Sequence, residues 1–153
     1  PCLSKDGLFL DNNTTFSSIV STAWKVNESI PQHVINKIKQ VEGNLFGKKI
    51  GILGISFKSD SDDLRNSPSL KLVELLNAAG AITKTHDPFI KDTSSLNEVL
   101  ESSDIIILAT NHSKFKDIKK EIQDSKPKLI YDVWSLYDKD DFNSSKYLKL
   151  GMG

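Results

Sequence analysis

A single thiol stands in the opening stretch Pro1-Cys2-Leu3-Ser4-Lys5-Asp6, with an ammonium and a carboxylate close behind it. The thiolate, not the thiol, is the nucleophile. With an ordinary pKa of about 8.5, only a few per cent of it is ionised near neutral pH, so chemistry at Cys2 needs a site that lowers that value. A second stretch, "SFKSDSDDLRNSPS", brackets Asp60, Asp62 and Asp63 between Phe57-Lys58 and Arg65. Lysine as a point charge and arginine as a planar fork can neutralise a phosphate. The same two cations can equally pair with the neighbouring aspartates on a solvated surface, where ion pairs are common and weak. On residue chemistry alone the two readings of this stretch stand level.

Placing these side chains requires a scaffold, and the period of the apolar residues supplies one. From Thr14 to about Leu45 the apolar positions recur every three or four residues, through Phe16, Ile19, Val20, Ala23, Trp24, Ile30, Val34, Ile35, Ile38 and Val41. Pro31 removes one amide donor, so it either kinks one long helix or opens a second. Beyond "FGKK" the pattern changes to short apolar runs alternating with helical segments. "KIGILGISF", "AITKTHDP", "DIIILAT", "KLIYDVW" and "KYLKLG" read as strands, the first with Gly51 and Gly54 inside it. Ser67, Pro68 and Gly80 mark the two ends of a helix, Ser95 and Glu98 have capping-box spacing, and "SKFKDIKKEIQ" reads as a further helix. Strand and helix in alternation predict a Rossmann-like α/β fold: a parallel sheet flanked by helices and preceded by a helical segment.

With 153 residues the chain suits one compact domain plus extra helix. One cysteine excludes an internal disulfide. Twenty basic and twenty acidic residues argue against a general nucleic-acid or membrane-surface binder. No apolar run approaches the roughly 20 residues of a membrane span and no signal peptide opens the chain, so the cytoplasm is the expected compartment. His86 and His112 stand apart from other ligand-type residues, and no metal site is expected. Trp24 reads as core or interface rather than as a stacking platform.

The first strand-to-helix turn lacks G-x-G-x-x-G, and Asp87 alone is a weak imitation of a ribose-binding acid. The connection to Ser67 is instead long, roughly ten residues where two to six is usual, and such loops are disproportionately functional.

"PCLSKD", "GKKIGILGISFKSDSDDLRNSPSLKLVELL", "THDPF", "DIIILATNHSKF" and "YDVWSLYD" together resemble, in order, the later part of the UDP-glucose/GDP-mannose dehydrogenase family. The block F-K-x-D-x-x-D-x-R-x-S-P is the specific part of the match. The resemblance implies residues 1–45 as the end of the family's central, dimerising domain, with the cysteine loop, and residues 46–153 as its UDP-binding domain. It implies an NAD-dependent enzyme that oxidises the C6 hydroxyl of a nucleotide sugar to a carboxylate for polysaccharide synthesis. In such enzymes thiolate attack on the intermediate aldehyde gives a thiohemiacetal, a second hydride transfer leaves a thioester, and water releases the acid. The resemblance puts Cys2 at the nucleophile, Asp6 at the activation of the hydrolytic water and Lys5 just before it. Phe57 and Lys58 fall on the substrate-contacting pair, and Arg65 on an arginine that reaches the NAD, most of which the amino-terminal domain holds. Asn27 matches an asparagine of the long central helix, read as packing.

Without that amino-terminal domain the chain is expected to be catalytically inactive, and the long helix is expected to pair two copies. Asp132-Val133-Trp134-Ser135 stands where many glucose-specific members have an arginine-rich turn, which leaves N-acetylated and mannose-type nucleotide sugars open. Two other readings compete: a non-catalytic nucleotide-binding module and a dimerisation element.

Overall fold

The computed structural model describes residues 18–151, so the expectations on Cys2, Lys5, Asp6 and Phe16 lie outside the described residues. Five strands form one parallel sheet: β1 (Lys49–Leu53), β2 (Ile82–His86), β3 (Ile105–Leu108), β4 (Leu129–Asp132) and β5 (Lys146–Lys149). Their order is β2-β1-β3-β4-β5. The helices are α1 (Ser18–Glu42), α2 (Pro68–Ala78), α3 (Leu96–Ser102) and α4 (Lys119–Ser125), with 3₁₀ turns at Ser113–Asp117 and Lys139–Asp141.

The inner strands β1, β3 and β4 are largely apolar and buried because both faces of the sheet are covered there, whereas the edge strands β2 and β5 carry polar side chains and are less buried. Alternate residues divide between two cores. Ile50, Ile52, Ile105, Ile107, Leu129 and Tyr131 pack with Leu72 and Leu76 of α2 and Val34, Ile35 and Ile38 of α1. Leu53, Ile106, Leu108 and Ile130 pack on the other face with Val99, Leu100 and Ile122 of α3 and α4. Each such fully buried aliphatic side chain contributes about 1.5–3 kcal/mol by leaving water.

The end signals read from the sequence act as predicted on α2. Ser67 is its N-cap, with Pro68 in the first turn, and Gly80 beyond its end has φ +79°. Ser95 caps α3 by accepting the Glu98 amide, one of the two bonds of a capping box. The segment expected as one helix over 113–123 is divided into a 3₁₀ turn and α4 at Ile118, whose φ −101° and ψ 15° fall outside the helical region. Helix α1 runs unbroken through Pro31. Its second half is anchored in the core, whereas Ile19 and Trp24 of its first half are 74% and 44% exposed.

This topology decides where a site can lie. The chain leaves β1 for β2 on one side and β3 lies on the other, so β1 and β3 flank the point where the winding reverses. The crevice beyond the carboxyl ends of these strands is where open α/β sheets bind ligands.

Candidate functional site

The segment 54–66 rises from the carboxyl end of β1, and Gly54 starts it. Gly54 lies just past β1 rather than inside it as expected, with φ +87°, and a Cβ there would stand 2.5 Å from Thr110 Cβ. Only glycine allows the chain to turn away this close to β3.

A buried carboxylate then fixes the loop's base. Asp87, 2% exposed at the end of β2, accepts the Ile55 and Ser56 amides on Oδ2 at 2.8 and 3.1 Å. Its Oδ1 accepts the Phe89 amide at 2.9 Å. Burial alone would push its pKa up; the Phe89 and Ile55 amides and His112 more than offset that and hold it below the usual carboxylate value. Asp87 is therefore occupied inside the protein and does not serve as a ribose-binding acid.

His112, fully buried, joins the loop on the far side. The Asp60 amide donates to its Nδ1 at 2.9 Å, which assigns the ring proton to Nε2. Nε2–H faces Asp87 Oδ2 at 3.0 Å and Ser56 Oγ at 3.2 Å. Ser56 Oγ in turn donates to the Lys58 carbonyl at 2.9 Å. Serine, histidine and aspartate are thus brought together, but serine and aspartate meet the same ring nitrogen. A nucleophile-activating triad needs one nitrogen for each partner, so this constellation holds structure and does not activate Ser56.

The three loop aspartates have different tasks. Asp60, with φ +52°, accepts both the amide and the hydroxyl of Ser113 on Oδ1, at 2.9 and 3.0 Å. The Ser113 amide foremost holds its pKa below the ordinary value. Asp63 takes Arg65 Nε and Nη2 at 2.8 and 2.7 Å in a two-point pair, and that side-chain bond is the main reason its pKa is lowered. Asp62 is exposed. The surface ion-pair reading therefore describes Arg65, whose side chain is 71% exposed. It does not describe Lys58, which is exposed and whose ammonium makes no hydrogen bond or ion pair among the described residues. Phe57 is half-buried, and its amide donates to the Asp63 carbonyl at 2.7 Å.

Two further features adjoin the loop. A groove of about 570 Å³ between α1 and α2 is lined by Trp24, Asn27, Pro31, Leu64 and Asn66 among others; Lys58 and Arg65 do not line it. Asn27, read from sequence as a packing residue, thus borders open space, as does Trp24, read as core or interface. After β4, buried Asp132 accepts the Trp134 amide at 2.9 Å and the Tyr137 amide at 3.1 Å. Trp134 Nε1 donates to the Ala109 carbonyl at 2.9 Å, so the turn that lacks arginine is rigidly built.

The described residues offer little to a dinucleotide. Pro68 has no N–H to give at the start of α2, and Ser67 Oγ already accepts the Ser69 and Leu70 amides at 3.2 and 3.4 Å. A pyrophosphate needs those groups free. The carboxyl edge described here does not fit NAD as its principal site. No group of three or more His, Cys, Asp or Glu that could hold a metal occurs among the described residues.

Comparison with known proteins assigns the loop to a lineage. The sequence profile of the UDP-glucose/GDP-mannose dehydrogenase family, UDP binding domain, matches residues 51–139. The chain belongs to this family. It is 31% identical over 148 residues to UDP-N-acetyl-D-mannosamine dehydrogenase of Methanocaldococcus jannaschii, covering 91% of this chain and 34% of that protein. It is 30% identical over 159 residues to UDP-glucose 6-dehydrogenase of Rickettsia conorii, covering 91% and 37% respectively. The solved structure of a UDP-D-ManNAc dehydrogenase from Pyrococcus horikoshii superposes with a TM-score of 0.76 at 27% identity, over 86% of this chain and 33% of that one. The chain thus spans about a third of the length of these relatives, and it is the part carrying the family's UDP-binding domain. No helix among the described residues is long and apolar enough to cross a membrane.

Proposed function

We propose that this chain binds the nucleotide of a UDP-sugar through its 54–66 loop, as part of a cytoplasmic, NAD-dependent nucleotide-sugar 6-dehydrogenase. One observation carries the reading: within the matched UDP-binding domain, Lys58 is presented at the carboxyl edge of the sheet by a loop anchored on buried Asp87, with its ammonium unpaired among the described residues. An exposed cation on an ordered loop meets a diphosphate without first giving up a partner or losing backbone freedom. Phe57 stands beside it as the second substrate contact. Arg65 is the residue toward NAD, with the rest of the dinucleotide held elsewhere in the whole protein; engaging it means breaking or sharing its pair with Asp63.

In the intact enzyme Cys2 is the thioester-forming nucleophile, with Asp6 activating water and Lys5 beside them. Oxidation of C6 is the property of that whole protein, and the 153-residue chain alone is inactive. The missing arginine after β4 favours an N-acetylated or mannose-type sugar over glucose. The apolar residues left exposed on the first half of α1, Ile19, Trp24 and Val26, support pairing of two copies along that helix.

Calorimetric titration of the chain with UDP tests the binding reading. Replacing Lys58 by alanine removes a charge-assisted contact and is expected to weaken binding about tenfold; equal affinity of the two proteins would refute the role given to Lys58. For the chemistry, Cys2→Ser in the intact enzyme is expected to keep nucleotide binding and abolish acid formation, and retained acid formation would remove Cys2 from the mechanism.

A further inference from the structure

We propose that His112 is a positioning residue for Lys58, holding the loop in its binding geometry before any ligand arrives. The inference rests on the reading of Lys58 given above and adds to it the group that sets where that ammonium stands.

His112 engages the loop at two positions. Its Nε2 faces Ser56, two residues before Lys58, and its Nδ1 accepts the amide of Asp60, two residues after it. Ser56 Oγ passes the contact on to the Lys58 carbonyl itself. One imidazole therefore clasps the loop on both sides of the lysine. The imidazole is immobile: it is fully buried, the Phe89 and Phe115 rings lie 5.0 and 5.2 Å from it, and Asp87 takes its Nε2–H. The adjacent Ser113 adds a second tether by donating its amide and hydroxyl to Asp60.

This matters because a surface loop of this length otherwise samples many conformations. Each residue ordered on binding costs on the order of 1–2 kcal/mol of conformational entropy. Asp60 also sits in the left-handed region, at φ +52°, which a residue with a side chain keeps only when its surroundings hold it there. The clasp supplies that hold at the position following Ser59.

A double-mutant cycle with UDP calorimetry separates this from a merely structural role, because it asks how much Lys58 is worth when the clasp is opened. His112→Gln keeps a donor at the Nε2 position, toward Asp87 and Ser56, but places no acceptor at the Nδ1 position that faces the Asp60 amide. In wild type Lys58→Ala is expected to cost about tenfold in affinity; in the His112→Gln background it is expected to cost less than about twofold. His112→Asn keeps an acceptor at the Nδ1 position and is expected to restore most of the tenfold effect. Should His112→Gln fail to fold by circular dichroism, Ser56→Ala opens the other side of the clasp in an otherwise intact core, and the Lys58 effect is expected to fall about threefold there. A Lys58 effect that stays tenfold in His112→Gln, or in Ser56→Ala where His112→Gln does not fold, overturns the positioning role and leaves the binding reading standing. No UDP binding by the wild-type chain, or no Lys58 effect in wild type, overturns both.

Discussion

Asp87 shows how one side chain joins distant parts of the chain into a site. Its buried carboxylate receives three backbone amides and an imidazole N–H. Its folded-state pKa is depressed, so the stability it contributes is fully present above the unfolded value of about 3.9 and is lost as the pH falls through the folded value. Replacement by alanine leaves the Ile55, Ser56 and Phe89 amides without an acceptor and is expected to destabilise the chain by about 3 kcal/mol near neutral pH. Denaturant melts of wild type and Asp87→Ala are expected to converge as the pH is lowered below about 4; a constant gap across that range would mean that the carboxylate charge is not what stabilises. The sequence pointed to the cations of the loop but was silent on what aims them. A carboxylate at a strand end looks the same whether it faces a ribose or the protein's own amides, and Ile55, Ser56 and His112 lie 32, 31 and 25 residues away in the chain. The pairing of Arg65 with Asp63, two residues apart, is legible in the local sequence; the ammonium of Lys58, unpaired among the described residues, is visible only in the fold.

At the level of elements, legibility followed locality. The ends of α2 and the start of α3 are written in Ser67, Pro68, Gly80 and Ser95, because caps act within three or four residues. The inner strands β1, β3 and β4 are legible because a sheet covered on both faces selects apolar side chains there. What was illegible depends on packing from elsewhere. Pro31 offered two outcomes, and one continuous helix prevails with Val34, Ile35 and Ile38 buried just beyond it. The break at Ile118 follows no glycine or proline; Phe115 and Ile122 on either side of it are both buried in the same core, and a 3₁₀ turn followed by a new helix brings both there. The apolar run around Gly54 reads as continuous strand, yet the close approach of Thr110 makes Gly54 the residue that follows β1 and begins the loop.

For the whole molecule, the balance of charge and the α/β alternation restricted the class of function, and the family block around Phe57 and Lys58 restricted it further. The architecture then explains why this loop is the site. The winding reverses between β1 and β3, the loop leaves the carboxyl end of β1, and the clasp that holds it is built from the ends of β2 and β3. The groove between α1 and α2, and a second one of about 620 Å³ beside β5 lined by Lys37, Lys139 and Lys146, are two recesses large enough for a nucleotide that lie away from Lys58. A two-dimensional amide NMR titration of the chain with UDP discriminates among these three places most directly. The account predicts that the largest shifts fall on residues 56–60 and on the neighbouring amide of Ser113. Shifts confined to the lining of either groove, with the loop amides unmoved at saturation, would contradict it.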